Sequence, residues 1–211
     1  MSYLKYVSRE FQRSLGNVEI EEEAKITNQV ILDNTSVKVL PIAAGLGGTS
    51  NRTLQQKAEG RDRVERFVEE YRGKTVMIFT DGSVNSEYSA VGSCAAVLLP
   101  LESSETEVKQ SEVFSVLADS TEAEVCGIVI ALALDMAIQY FSTRPEPDYR
   151  ESLFILSDCK AAIDIVVNRC RTDGHVHVLS RIRSHLSALR DMMVDVTLAW
   201  IVDTRTLRHP L

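Results

Sequence analysis

The chain of 211 residues has no apolar run long enough to cross a bilayer. Its longest, Val125 to Leu134, is ten residues and ends at Asp135, against the roughly 20 that a span needs. Residues 1–16 carry Lys5, Arg9, Glu10 and Arg13 and lack an apolar core, so no secretory signal is expected and the protein reads as intracellular, with no membrane partner. Proline and glycine are scarce, 5 and 10 residues, which excludes collagenous and low-complexity chains. Cysteine is scarcer still. Cys94, Cys126, Cys159 and Cys170 stand 32, 33 and 11 residues apart, spacings that make neither a zinc knuckle nor a redox pair. Reduced, mostly buried thiols are expected.

What is present is an ordinary globular composition, 45% apolar and 25% charged, at a length suited to one domain. The net charge of −7 argues against a nucleic-acid partner, which normally leaves a basic footprint. Its distribution weakens that argument. Residues 1–73 hold 11 basic and 11 acidic side chains, so the whole excess lies beyond them, while Lys160 to Arg190 holds six basic residues against two acidic ones.

The first 73 residues look unlike the rest: an acidic cluster at Glu19 to Glu23, a glycine-rich stretch at Ala43 to Gly48, and no recognisable chemistry. They are expected to be a linker or the remnant of an upstream domain. Within them Val64, Phe67, Val68 and Tyr71 form one apolar stripe, which predicts a helix over 54–71. Val30 to Leu40 is read as short strands. From Lys74 the pattern sharpens. Thr75 to Thr80 reads as a buried strand ending in a turn at Asp81-Gly82-Ser83, followed by strands over Ser89 to Leu99 and Val108 to Leu117. A long helix is expected over Thr121 to Phe141, a strand over Leu153 to Leu156, helices over Lys160 to Val167 and Val176 to Met193, and a fifth strand over Val194 to Val202. This order implies an α/β fold, a mixed sheet flanked by helices.

Three carboxylates stand where acids are otherwise unhelpful. Asp81 ends an apolar strand, Glu124 lies in the first turn of the long helix, and Asp158 ends the fourth strand. If the first and fourth strands are parallel neighbours, their ends lie side by side at the edge where ligands gather. Like charges brought so close repel unless a cation separates them, and Mg²⁺ takes carboxylate and phosphate oxygens. Each acid also has a plainer explanation: Asp-Gly is a common turn, Thr121 with Glu124 has capping-box spacing, and Asp158 suits a helix cap. Only their conjunction points to a site.

Phe79-Thr80-Asp81-Gly82-Ser83, Ser120-Thr121-Glu122-Ala123-Glu124-Val125 and Ile155-Leu156-Ser157-Asp158-Cys159-Lys160 follow one another in order. With Val196 to Ile201 they resemble the successive signatures of the type 1 ribonuclease H domain, in the form found after reverse transcriptase in non-LTR retrotransposons. The resemblance covers about residues 74–202. It implies an RNase H-like fold with a five-stranded sheet, and hydrolysis of the RNA strand of an RNA/DNA hybrid by two Mg²⁺ ions. Asp81, Glu124 and Asp158 become catalytic metal ligands by match. Gly82, Ser83, Gly92 and Lys160 become candidates for substrate contact, Gly92 through close backbone approach, for which simple packing is an equal explanation.

The resemblance ends at Trp200. The family continues into a helix bearing a fourth acid, whereas residues 203–211 form a divergent tail in which Asp203 and His209 are out of place. Read as C-terminally truncated, the domain is expected to turn over poorly, to hold one metal rather than two, and to leave one sheet face uncovered. The alternative is an inactive module of the same fold that holds nucleic acid through Lys160, Arg169, Arg171, Arg181, Arg183 and Arg190. His175 and His177 read as an exposed pair. No nucleophile elbow or P-loop occurs.

Overall fold

The computed structural model describes residues 37–46, 52–84, 91–102, 104–115, 122–145, 149–167 and 176–202. In chain order they form β1 (Lys38–Leu40), α1 (Leu54–Tyr71), β2 (Val76–Val84), β3 (Val91–Leu99), β4 (Val108–Ser115) and α2 (Glu122–Ser142). The chain continues through β5 (Glu151–Ser157), α3 (Lys160–Val166), α4 (Val176–Asp191) and β6 (Val194–Trp200). One sheet of order β1-β6-β5-β2-β3-β4 runs through the molecule. β2, β3 and β4 form an antiparallel meander, and β2, β5, β6 and β1 pair in parallel. The fold is the expected α/β arrangement, a mixed sheet flanked by helices.

Among the described residues the sheet has six strands rather than five. The extra strand, β1, pairs with β6 through Val39 opposite Leu198. Its short length suits a sheet edge, where a longer strand would offer unpaired backbone to other chains.

Alternation along the strands divides the core. Val76 and Ile78 of β2, Leu153 and Ile155 of β5, and Val196 and Leu198 of β6 face one side, packed with residues of α2, α3 and α4. Ile130, Ala133 and Leu134 of α2 are all fully buried. A helix apolar around its whole circumference belongs in an interior, and α2 lies there, between the sheet and the neighbouring helices.

Met77, Phe154, Leu156, Ala199 and Ile201 face the other side, and α1 covers them. Its start is set by Thr53, whose side chain accepts from Gln56 N–H at 3.2 Å while Gln56 reciprocates to the Thr53 amide at 2.9 Å. Val64 seats on the sheet, and Phe67 and Tyr71 meet Phe154 edge-on at centroid distances of 5.0 and 4.9 Å. Gly60 permits the closest approach, since a Cβ there would lie 2.5 Å from Val202 Cγ2.

This corrects the expectation of a bare sheet face. The apolar stripe of α1 is the cover, and it comes from the N-terminal side of the sheet. Residues 37–46 and 53–73 are therefore packed against the sheet, more closely than a linker or remnant requires: Arg63 donates to the carbonyls of Ile42 and Ala44 at 3.2 and 2.9 Å, and Ala43 N–H donates to Trp200 O at 3.0 Å. The short strands read between Val30 and Leu40 are represented by β1, and residues before 37 lie outside the described ones. Among the described residues no helix is long and apolar enough to cross a membrane.

Candidate active site

The candidate site lies at the carboxyl edge of the parallel strands. β2 and β5 pair in register, Val76 with Leu153 through Thr80 with Ser157. Asp81 and Asp158 are each the next residue after that last pair. Neighbouring strands stand about 4.8 Å apart, so the register brings the two aspartates side by side, both half-buried.

Hydrogen bonds hold this edge in place. Thr80 Oγ1 donates to Leu156 O at 3.1 Å, tying the strands together one residue short of the acids. The Ser157 hydroxyl accepts from Cys159 N–H at 3.2 Å, turning the chain past Asp158 into α3. Ile201 N–H donates to Ser157 O at 3.0 Å, and Trp200 Nε1–H donates to the Asp158 carbonyl at 3.3 Å. The end of β6 therefore braces the loop that carries Asp158.

The helix turn that carries Glu124 approaches the same edge by another route. At the far end of α2, Tyr140 accepts from Leu101 N–H at 3.2 Å and donates to Glu105 at 2.7 Å. Leu101 follows β3 just beyond Leu99, which pairs with Met77 near the start of β2. From there α2 runs back over the sheet for about 24 Å to Glu124, while β2 covers about 17 Å from Val76 to Asp81. The first turn of α2 thus lies at the aspartate edge. The Glu124 side chain is outside the described residues, as is that of Ser83.

Asp81-Gly82-Ser83 does not form the expected turn. β2 continues to Val84, with Gly82 opposite Cys94 and Ser83 opposite Ser93. The ladder of β3 supplies partners for these backbone groups, which outweighs the local turn preference of Asp-Gly. Asp81 is thereby held inside a strand. Gly82 is exposed beside it, and Gly92 lies in β3 opposite Val84. Cys94 is buried, and burial, with Glu112 nearby, pushes its thiol pKa up, away from nucleophilic use. Cys94 is a free thiol; Cys170 and the side chain of Cys126 lie outside the described residues.

The basic residues of the alternative reading divide. Arg183 is 5% exposed, and burial lowers its pKa. Arg181 lies 3.9 Å from Asp135 of α2. Arg183 is thus not a freely presented surface cation, whereas Arg181 is exposed. Arg169, Arg171, His175 and the His177 side chain lie outside the described residues. Lys160 is exposed at the start of α3, its Nζ 5.5 Å from the centre of the Trp200 ring. Arg52, which sequence reasoning missed, sits 5.8 Å from the same ring. No local pattern marks it, because only the tertiary fold brings it to Trp200.

The donor set fits a hard divalent cation: two adjacent carboxylates at paired strand ends, with a third carried by the helix turn at the same edge. Among the described residues no cluster of three such ligands occurs, Glu124's side chain being outside them.

No family model and no curated protein matches the chain. Among solved structures it is similar to RNase H1 of Halobacterium salinarum, at 13% identity and TM-score 0.42, over 61% of this chain and 86% of that one. It is also similar to an N-terminal RNase H domain from Mycobacterium tuberculosis, at 16% identity and TM-score 0.43, over 62% and 89%. A third, the LC11 RNase H1 solved with an RNA/DNA hybrid, gives 10% identity and TM-score 0.43 over 64% and 90%. The solved structures it is similar to thus include type 1 ribonuclease H domains.

Proposed function

We propose that the chain is a ribonuclease H-type nuclease that hydrolyses the RNA strand of an RNA/DNA hybrid. The observation that supports this reading is the pairing of Thr80 with Ser157, the residues just before Asp81 and Asp158 on neighbouring parallel strands. These three would hold Mg²⁺, and the ions when bound would activate the attacking water and stabilise the departing 3′ oxygen.

The chain's own residues supply position and restraint. The Thr80 hydroxyl and the Trp200 indole fix the backbone around Asp81 and Asp158, so the carboxylates are held before substrate arrives. Gly82 and Ser83 in β2 and Gly92 in β3 lie beside Asp81 as surface for the substrate backbone, and Lys160 offers a charge to a phosphate. Recognition of RNA would rest on its 2′-hydroxyl. Turnover is slow in this reading, three acids holding what the resemblance implies four would hold. The retrotransposon setting belongs to the same reading and rests on the resemblance alone.

The test is cleavage of an end-labelled hybrid with and without Mg²⁺. Metal-dependent cutting of the RNA strand, abolished in Asp158→Asn while hybrid binding persists, is the expected result. Metal-independent cutting, or cutting that survives the substitution, rejects the site. Binding without cutting by the unaltered chain would select the inactive module.

A further inference from the structure

We propose that Arg52 and Lys160 form an anion seat over Trp200 that takes a backbone phosphate of the bound nucleic-acid strand. The inference rests on the nucleic-acid reading above and adds a binding residue from outside residues 74–202.

Arg52 directly precedes Thr53, the N-cap of α1. It is only 8% exposed, and its Nε and one terminal nitrogen are buried with no acceptor among the described residues. A guanidinium taken out of water normally finds a carboxylate, a carbonyl or a phosphate, because unpaired N–H groups and buried charge are costly. Here its described neighbour is an aromatic face, the Trp200 ring at 5.8 Å. A ring offsets part of the charge but accepts none of the in-plane N–H bonds.

The ring serves a second cation, with Lys160 Nζ 5.5 Å from its centre. Two positive groups on one indole repel each other. An anion within reach of both would offset their charge and accept from the Arg52 donors. A phosphodiester suits both, since its oxygens match the guanidinium fork and accept the ammonium as a point charge. The positive end of α1, an 18-residue helix, lies next to Arg52 and favours the same charge.

Place identifies the anion. Trp200 donates to the backbone of Asp158 at 3.3 Å and accepts from Ala43 N–H at 3.0 Å, so the seat is fastened to the loop that carries the proposed metal ligand. A strand lying across the aspartates would pass its next phosphates over Trp200. Phosphate contacts of this kind set register without reading sequence.

Trp200 is the only tryptophan, so intrinsic fluorescence reports on the seat directly. The full chain is titrated with a labelled RNA/DNA hybrid, without divalent metal, at several salt concentrations, and with inorganic phosphate as a free-anion control. The unaltered protein is expected to change in tryptophan emission on binding hybrid. Arg52→Gln is expected to weaken binding by about tenfold and reduce the slope of log K against log salt by about one, with Arg52→Lys keeping the slope. The melting temperature of free Arg52→Gln stays the same or rises, since a buried unpaired charge is removed. Unchanged affinity and slope in Arg52→Gln, or a lower melting temperature with the slope intact, would show a structural arginine and overturn the seat. A response to inorganic phosphate alone, with none to hybrid, would overturn the nucleic-acid ligand. Cleavage is scored separately: an Arg52-dependent slope without cutting keeps the seat and rejects the nuclease, and cutting with an unchanged slope does the reverse.

Discussion

The two faces of the sheet are built differently. One is covered by α2, α3 and α4, with residues 129–134 of α2 all buried, and its buried residues all lie after 74, Val37 and Val39 packing at its margin. The other is covered by α1, a helix whose mean hydropathy is low and whose apolar residues make one narrow stripe. The first face is a core in depth. The second is a single layer, supplied by a segment that looks like linker when read along the chain. Ile155 and Leu156, adjacent in β5 and both fully buried, belong one to each face. Burial of a side chain therefore says nothing about how much structure stands behind it.

The largest expected effect comes from removing the thin cover. Deleting residues 1–73 exposes Met77, Phe154, Leu156, Ala199 and Ile201 together, a patch that favours association. Loss of the cooperative thermal transition and aggregation by light scattering are expected. A monomeric product melting at the parent temperature would show that the second face needs no cover.

Next in size is the pair on β5. Ile155→Ala and Leu156→Ala each fall in the range of about 2–5 kcal/mol, with cost set by how well the site collapses. Three helices confine the space left at Ile155, whereas α1 alone can settle toward Leu156. Chemical denaturation is expected to place Ile155→Ala nearer the top of the range. The reverse order would mean that α1 is the more rigid cover.

Gly60→Ala sharpens the point on α1 itself. In an exposed helix this substitution stabilises by about 1 kcal/mol. Here the new methyl meets the β-branched Val202 side chain at 2.5 Å, and overpacking costs about 1–3 kcal/mol. A net fall in melting temperature is expected, and a rise would show that α1 rides free of Val202.

The smallest effect lies on the thick face. His185 of α4 stands 3.8 Å from Asp135 of α2. Burial lowers its pKa more than Asp135 raises it, and Arg181 lowers it further. The folded state thus binds the proton more weakly than the unfolded chain, whose histidine titrates near 6.5. The contribution to stability is complete above about pH 6.5 and is lost as pH falls through that value toward the folded pKa. Melting from pH 7.5 to 5 is expected to show this decline, diminished in His185→Gln.

Much of this was legible along the chain. The residues after 74 announce their elements because each carries its own period, apolar and β-branched in β5, apolar at helical spacing in α2. Asp81, Glu124 and Asp158 stood out because acids at the ends of such runs serve no packing purpose. The failures have physical causes. Asp81-Gly82-Ser83 has the local chemistry of a turn, and only the ladder with Ala95, Cys94 and Ser93 makes it a strand. Arg183 looks like a solvated charge on a helix, and nothing nearby in sequence signals its burial. Arg52 was silent for the same reason: its partner, the Trp200 ring, lies in the final strand.

From the order of residues alone came the kinds of elements after 74, their succession and the three acids, because hydrophobic period and charge placement are local properties. That β1 extends the sheet and α1 covers one of its faces, that the ends of β2 and β5 pair, and that a buried arginine comes to share Trp200 with Lys160 were decided only in three dimensions. Strand register and helix docking join segments far apart in the chain, and no local preference encodes which distant surface a stripe will meet.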